Sequence, residues 1–305
     1  KPNKINFSSI ISASNSLDSL KLLPKLPWAK SIIKDWKVGE EEAHIKTNTF
    51  FKQGIENYKE GRNFPFKKNV SRLSPHLHFG EISPKQLWAK AKNINSNINI
   101  EHFISEICWR EFSYYLLYHF PSLPKDNLQK KFNSFPWVDN EFFFDSWKRG
   151  KTGYPIIDAG MRELYTTGYM HNRVRMIVAS FLVKNLLIHW HKGERWFWDC
   201  LFDADLANNS ASWQWVAGSG ADAAPYFRIF NPITQGVKFD IDGKYTKQYV
   251  PELKDMPNKY LFSPWEAPDD ILNKANVVLG VNYPKPIIDI KESREKALYA
   301  FSLIK

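Results

Sequence analysis

Apolar positions along this chain recur at helical intervals, and no alternating βαβ units appear. From about Glu41, the segment EEAHIKTNTFFKQGIENYKEGR carries Ala43, Phe50, Phe51, Ile55 and Tyr58 on a period near 3.6. HFISEICWREFSYYLLYHFP, residues 102–121, predicts a strong helix. Residues 121–140 read as a loop with Trp137 inside it. Pro155 opens IIDAGMRELY, expected to end near residues 166–168. A second helix is expected from about His171 to Ile188, and LLIHWHKGERWFWDCLF, residues 186–202, reads as an apolar helical run. The closing IKESREKALYAF reads as amphipathic and structural. Residues 1–26 are rich in Ser, Asn and Lys without a strong period and read as a linker or extended arm. The pattern predicts an all-α fold, with residues 27–305 as its helical unit.

Prolines and serines punctuate this pattern. Pro75 and Pro84 stop and start segments, with Ser74 and Ser83 as candidate caps. Hydrophobic residues make up 43% of the 305 residues and aromatics 15%, enough for a large core. The twelve tryptophans serve core packing, stacking on bases or electron passage. A net charge of +10 favours a polyanion, nucleic acid first and an anionic membrane second, or marks a merely lysine-rich surface. Cys108 and Cys200 cannot build a disulfide framework, and their apolar helical contexts suggest reduced core thiols in a cytoplasmic protein. The eight histidines show no metal-ligand spacing, so no metal is expected. No signal peptide and no apolar span of about 20 residues is present.

The chemistry concentrates in DADLANNSASWQW, residues 203–215. Carboxylates can accept ribose hydroxyl protons, and asparagine can face a heteroaromatic nitrogen as donor or acceptor. Trp213 and Trp215 are two apart, so on a helix they point about 200° apart. One indole can face inward and the other a cavity. An N-capped helix with two core tryptophans is the plainer alternative. Upstream, the turn at residues 71–74 offers backbone N–H groups, two hydroxyls and Arg72, a set that suits a pyrophosphate or an ordinary capped turn. Asn172, Arg175 and Met176 share one side of their helix, and Arg173 projects from a neighbouring side. A buried Arg175 would need a carboxylate partner.

These stretches, with SRLSPHLHFGEIS at 71–83, EICWREF at 106–112, KTGYPIIDAGMREL at 151–164, TGYMHNRVRM at 167–176 and APYFRIFNP at 224–232, come in one order at one spacing. Together they resemble the flavin-binding domain of the cryptochrome/photolyase family, closest to the class I cyclobutane pyrimidine dimer photolyases, from about residue 28 to residue 299. The resemblance implies a helical FAD-binding domain without the α/β antenna domain, which is separate, removed or one that this protein works without. No antenna chromophore is expected within this chain.

The resemblance also implies site roles. Tyr58 and the segment Val70, Ser71, Arg72, Leu73 and Ser74 would hold FAD, with Val70 standing where the family usually has Thr. Arg175 would pair with Asp203. Asp203 and Asp205 match acids at the flavin and ribose, and Asn209 the asparagine facing flavin N5. Glu106 would hydrogen-bond the damaged pyrimidine, its carboxyl raised in pKa by apolar surroundings so that it can donate to a carbonyl gaining negative charge. Trp109, Asn172, Met176 and Trp215 would line the lesion pocket. Arg173 would contact DNA. Trp213, Trp190 and Trp137 match the tryptophan chain that carries electrons to the oxidised cofactor. The implied activity is light-driven repair of cyclobutane dimers by reduced FAD, in a monomer acting on UV-damaged DNA and not on a membrane. Binding would weaken steeply with salt, by about 0.9 in log–log slope per phosphate contact. Three alternatives remain: a cryptochrome-type light receptor, a (6-4) photolyase using His171, and a basic helical nucleic-acid module without cofactor.

Overall fold

The computed structural model describes residues 16–22, 32, 34, 36–223 and 225–304. Most of the proposed N-terminal arm lies outside the described residues; within it, Leu17–Leu20 forms one 3-10 turn capped by Ser16. Fifteen α-helices follow among the described residues. They are α1 (Glu40–Thr49), α2 (Tyr58–Gly61), α3 (Ser74–His78), α4 (Pro84–Lys92), α5 (Ile98–His119), α6 (Glu141–Lys148), α7 (Pro155–Thr167) and α8 (Asn172–Ser180). Then come α9 (Trp190–Cys200), α10 (Leu206–Ala217), α11 (Pro232–Phe239), α12 (Lys244–Tyr249), α13 (Asn258–Leu261), α14 (Asp269–Lys274) and α15 (Ile290–Ser302). The described residues hold one isolated β-bridge, Leu279 to Tyr283, and no strand. The fold is therefore all-α, as the periodicity predicts.

Buried α7 is the spine. From Pro155 to Leu164 only Arg162 escapes full burial. Proline at its first position starts the helix where no N–H partner is needed, and Gly168, at φ +66°, ends it in the left-handed conformation. The buried Asp158 carboxylate anchors its start. It accepts from the Thr152 N–H and hydroxyl at 2.7 Å each, from Gly153 N–H at 3.1 Å and from Tyr283 at 2.7 Å. Four donors compensate the burial that raises its pKa. Around α7 lies the larger hydrophobic cluster, with Trp147, Trp190 and Trp213. A smaller cluster joins α1, the turn after it, α2 and α5 through Ala43, Phe50, Tyr58 and Phe103.

Several expectations need correction. The α1 segment does bury Ala43, Phe50, Ile55 and Tyr58, but Phe50–Gly54 is a π turn. A five-residue turn resets the helical phase, which a 3.6 period cannot anticipate. A second π turn, Phe181–Asn185, ends the helix that was expected to reach Ile188. Leu187, at φ +54°, then breaks the run expected to be helical from residue 186, so α9 starts only at Trp190. Ser83 caps α4 in a full capping box with Gln86, whereas Ser74 is the first residue of α3, with no side-chain cap. Cys108 is exposed on α5 rather than in a core, because it lies about 100° around the helix from Ile107 and about 140° from Phe103, off the buried face. Cys200 is partly buried, and burial pushes its thiol up to about 12, so it is protonated and inert.

Candidate functional site

A cavity of about 720 Å³ opens at the seam between the two hydrophobic clusters. Several elements build it, α8 among them through Asn172, Arg175 and Met176. The turn at 70–74 forms one wall, with Arg72 at φ +52°. Helix α5 supplies Glu106, Trp109 and Phe112 along one face. Helix α10 supplies Asn209, Trp213 and Trp215. Its N-terminus is set by Asp205, whose Oδ1 accepts from the Asn208 N–H at 2.9 Å. The two indoles of α10 part as their spacing requires. Trp213 is 2% exposed and packs on Phe197, while Trp215 faces the cavity.

Charge is organised by pairs. Arg175 donates through Nη2 to both oxygens of Asp203, at 3.1 and 2.9 Å, and through Nε to the Met170 carbonyl at 2.7 Å. Burial would lower the Arg175 pKa, but the Asp203 carboxylate, with Tyr169 and Glu163, more than offsets it and the net shift is upward. Burial would raise Asp205, yet hydrogen bonds from Tyr114 and Asn208 hold it below the usual carboxylate range. Burial and the same contact push Tyr114 up to about 12. Burial also raises Tyr58. His171 is buried and caps α8 through Nδ1, which accepts from Arg173 N–H at 3.2 Å. Burial, then Arg175 and Arg173, lower it to about 3, so it is neutral.

Beside it, burial pushes Glu163 up to about 7, although Tyr245 donates to it at 2.7 Å and the His171 N–H at 3.2 Å. The two shifts act oppositely on stability. A raised carboxyl contributes stability that is complete below pH 4.5 and lost as pH rises through about 7. A lowered histidine contributes stability that is complete above pH 6.5 and lost as pH falls through about 3. They cancel between pH 4.5 and 6.5. Glu163→Gln removes only the first. Relative to wild type, its unfolding free energy should therefore fall on acidification across that window, by about 1.4 kcal/mol per pH unit at most. Urea unfolding at pH 6.5 and pH 5 measures this, and parallel curves would refute it.

Of the residues singled out in the sequence, the cavity brings together Tyr58, Val70, Ser71, Arg72, Leu73, Ser74, Glu106, Trp109, Asn172, Arg175, Met176, Asp203, Asp205, Asn209, Trp213 and Trp215. Arg173 stands outside its lining. It donates to Asn63 Oδ1 at 2.5 Å and stacks over Phe239 at 4.4 Å. Trp190 is fully buried, with its indole N–H on Asn127 at 2.9 Å. Trp137 is half-buried, and His189 bridges the two, with ring centroids 5.0 Å from Trp137 and 5.7 Å from Trp190. Glu106 differs from its expected setting. Arg62 Nη1 donates to its Oε1, so a cation and not an apolar wall faces the carboxylate. Arg62 escaped the sequence reading, although it lies one helical turn after Tyr58 and stacks on that ring at 5.4 Å. Tyr169, Asn208 and Arg110 also line the cavity; they lie inside the motif stretches, which assign them no role of their own.

The cavity's volume falls within the ~300–1,000 Å³ of cofactor sites. Its donors fit a dinucleotide. Arg72 has no carboxylate within ion-pair distance among the described residues, Ser71 and Ser74 add hydroxyls, and Asn208 and Asn209 add amides beside aromatic walls. Residues 103–303 match the family model for the FAD binding domain of DNA photolyase. The chain is 52% identical, over all of its length, to a deoxyribodipyrimidine photo-lyase of Agrobacterium fabrum, of which it covers 64%. A solved bacterial class III photolyase from Agrobacterium tumefaciens superposes with a TM-score of 0.93 at 52% identity, covering 97% of this chain and 62% of that one. A Synechocystis cryptochrome superposes at 0.84 with 33% identity, covering 92% and 59%. The chain belongs to the photolyase/cryptochrome family and carries its helical FAD-binding domain. It spans a little under two thirds of the length of the two Agrobacterium relatives.

Proposed function

We propose that this chain is the FAD- and lesion-binding part of a DNA photolyase that repairs cyclobutane pyrimidine dimers in UV-damaged DNA under blue light. The observation that carries the reading is the shared cavity. Residues suited to a flavin dinucleotide and residues suited to a flipped-out pyrimidine pair line the same walls. Photolyases are among the enzymes that flip their target out of the stack, and extrusion of a damaged pair costs less than extrusion of a normal base. Reduced FAD, when bound, supplies the photoexcitable electron donor for ring opening.

The chain's own groups do the rest. Arg175, held by Asp203, and the turn at 71–74 bind and orient the dinucleotide. Trp109 and Trp215 wall the lesion cleft, where stacking contributes about 1–3 kcal/mol per base. Asn172 and Met176 offer an amide and a soft thioether to the pyrimidine edge. Glu106 meets the lesion as one member of a pair with Arg62, so substrate entry exchanges or shares that ion pair. Trp213, Trp190 and Trp137 relay electrons inward to restore the reduced cofactor. Within the family, 52% identity to a solved class III photolyase favours that branch over class I. The (6-4) reading loses support because His171 is buried, spent as a cap and absent from the cavity lining.

The deciding experiment uses FAD-loaded, reduced protein and an oligonucleotide carrying one thymine cyclobutane dimer. Recovery of intact thymine under blue light, and none in the dark, is expected. Bound, photoreducible flavin without recovery would instead favour a light receptor of the cryptochrome type.

A further inference from the structure

We propose that Trp36 is a positioning residue for the cofactor, acting as an aromatic clamp on Arg72 and so on the turn that would hold the dinucleotide phosphates. The inference rests on reading the cavity as an FAD site. Trp36 lies well before the stretch matched by the family model, in a segment that no motif singles out.

Arg72 sits in the cavity wall with its backbone in the left-handed region, at φ +52°. A non-glycine residue keeps that conformation only when its surroundings hold it there. Among the described residues no carboxylate pairs with its guanidinium. Two rings hold it instead: the guanidinium carbon lies 4.8 Å from the Trp36 ring centre and 4.6 Å from that of Tyr169. Both rings are 9% exposed, while Arg72 itself remains exposed where it lines the cavity.

The slot is built to stay in place. The Trp36 indole N–H donates to the Thr167 carbonyl at 2.8 Å, near the end of α7. Its ring meets Tyr169 at 5.9 Å and Phe202 at 5.7 Å. The clamp therefore ties the segment before α1 to the central helix, with the phosphate-facing turn between them. A planar cation stacked on aromatic faces keeps its in-plane N–H donors free for an anion, which a carboxylate partner would have consumed. An ammonium at position 72 would retain the charge and lose the stack.

The test follows flavin release from FAD-loaded protein by the recovery of free-flavin fluorescence. Trp36→Ala should release FAD about tenfold faster, the size of change a partly desolvated cation–π contact makes. Trp36→Phe, which restores a ring face, should recover most of the retention. Arg72→Lys should resemble Trp36→Ala, and the double variant should lose no more than either single one, because both remove the same contact. Wild-type release from a folded Trp36→Ala protein, or additive losses in the double variant, would overturn the proposal. Melting of the apoproteins separates loss of fold from loss of retention. Should Trp36→Ala not fold, Trp36→Phe and Arg72→Lys decide it: slow release from both would overturn the clamp. Wild-type protein that takes up no FAD would overturn the cavity's reading and the clamp with it. FAD retention without dimer repair would overturn the repair function alone.

Discussion

Asp203→Ala is expected to destabilise the protein by about 3 kcal/mol and to abolish stable flavin binding. Removing one member of a buried ion pair strands the other charge, at a typical cost of about 3–5 kcal/mol. The lower end applies because the Arg175 side chain retains 23% exposure, against 5% for Asp203. The stranded guanidinium keeps its Nε–H bond to Met170 and its place over the Tyr169 ring at 5.4 Å but loses both Nη2 bonds, so its outer end is free to leave the cavity wall. Asp203→Asn retains an acceptor and removes the charge, so it should fall between wild type and Asp203→Ala. Urea unfolding of the apoproteins, with flavin content after purification, measures both effects. A wild-type midpoint and wild-type flavin content for Asp203→Ala would refute them.

Gly193→Ala should displace Trp213, and with it one side of the cavity. A Cβ at position 193 would lie 2.2 and 2.5 Å from two atoms of the Trp213 ring and 2.7 Å from Leu182. Alanine gains up to about 1 kcal/mol over glycine within a helix. Overpacking costs about 1–3 kcal/mol and more where neighbours cannot move. Here the neighbour is a ring already wedged between Phe197, at 4.9 Å, and Trp147, at 6.2 Å, so the clash prevails. The expected result is a net loss of about 1–3 kcal/mol, a changed near-ultraviolet tryptophan signal and slowed photoreduction of bound flavin. A more stable variant with an unchanged spectrum would show that the propensity gain wins.

Much of the site is legible in the chain's local patterns. Asp205, Asn209, Trp213 and Trp215 fall on or at the start of α10 at spacings that commit one indole to the core and the other to the cavity. A buried Arg175 requires a carboxylate, and it is the family resemblance, not a local pattern, that points to Asp203 as that partner. The contacts that escape such patterns are those between elements. The Arg62–Glu106 pair joins side chains 44 residues apart, and nothing in either local pattern announces it. Trp36 escapes for the same reason, since its meaning depends on Arg72, Thr167 and Tyr169 meeting around it.

The sequence by itself determined that this protein is helical and where its long helices run, and it singled out candidate site residues within 58–74, 106–109, 172–176 and 203–215, most of which line one cavity. Periodicity, capping and motif spacing are local, and they survive in one dimension. Only the tertiary structure decided where the helices break into π turns, that Glu106 faces Arg62, that Cys108 is exposed, and that Arg173 stands outside the cavity. Each of these depends on the packing of residues distant in the chain, and burial or ion pairing there outweighs local preference.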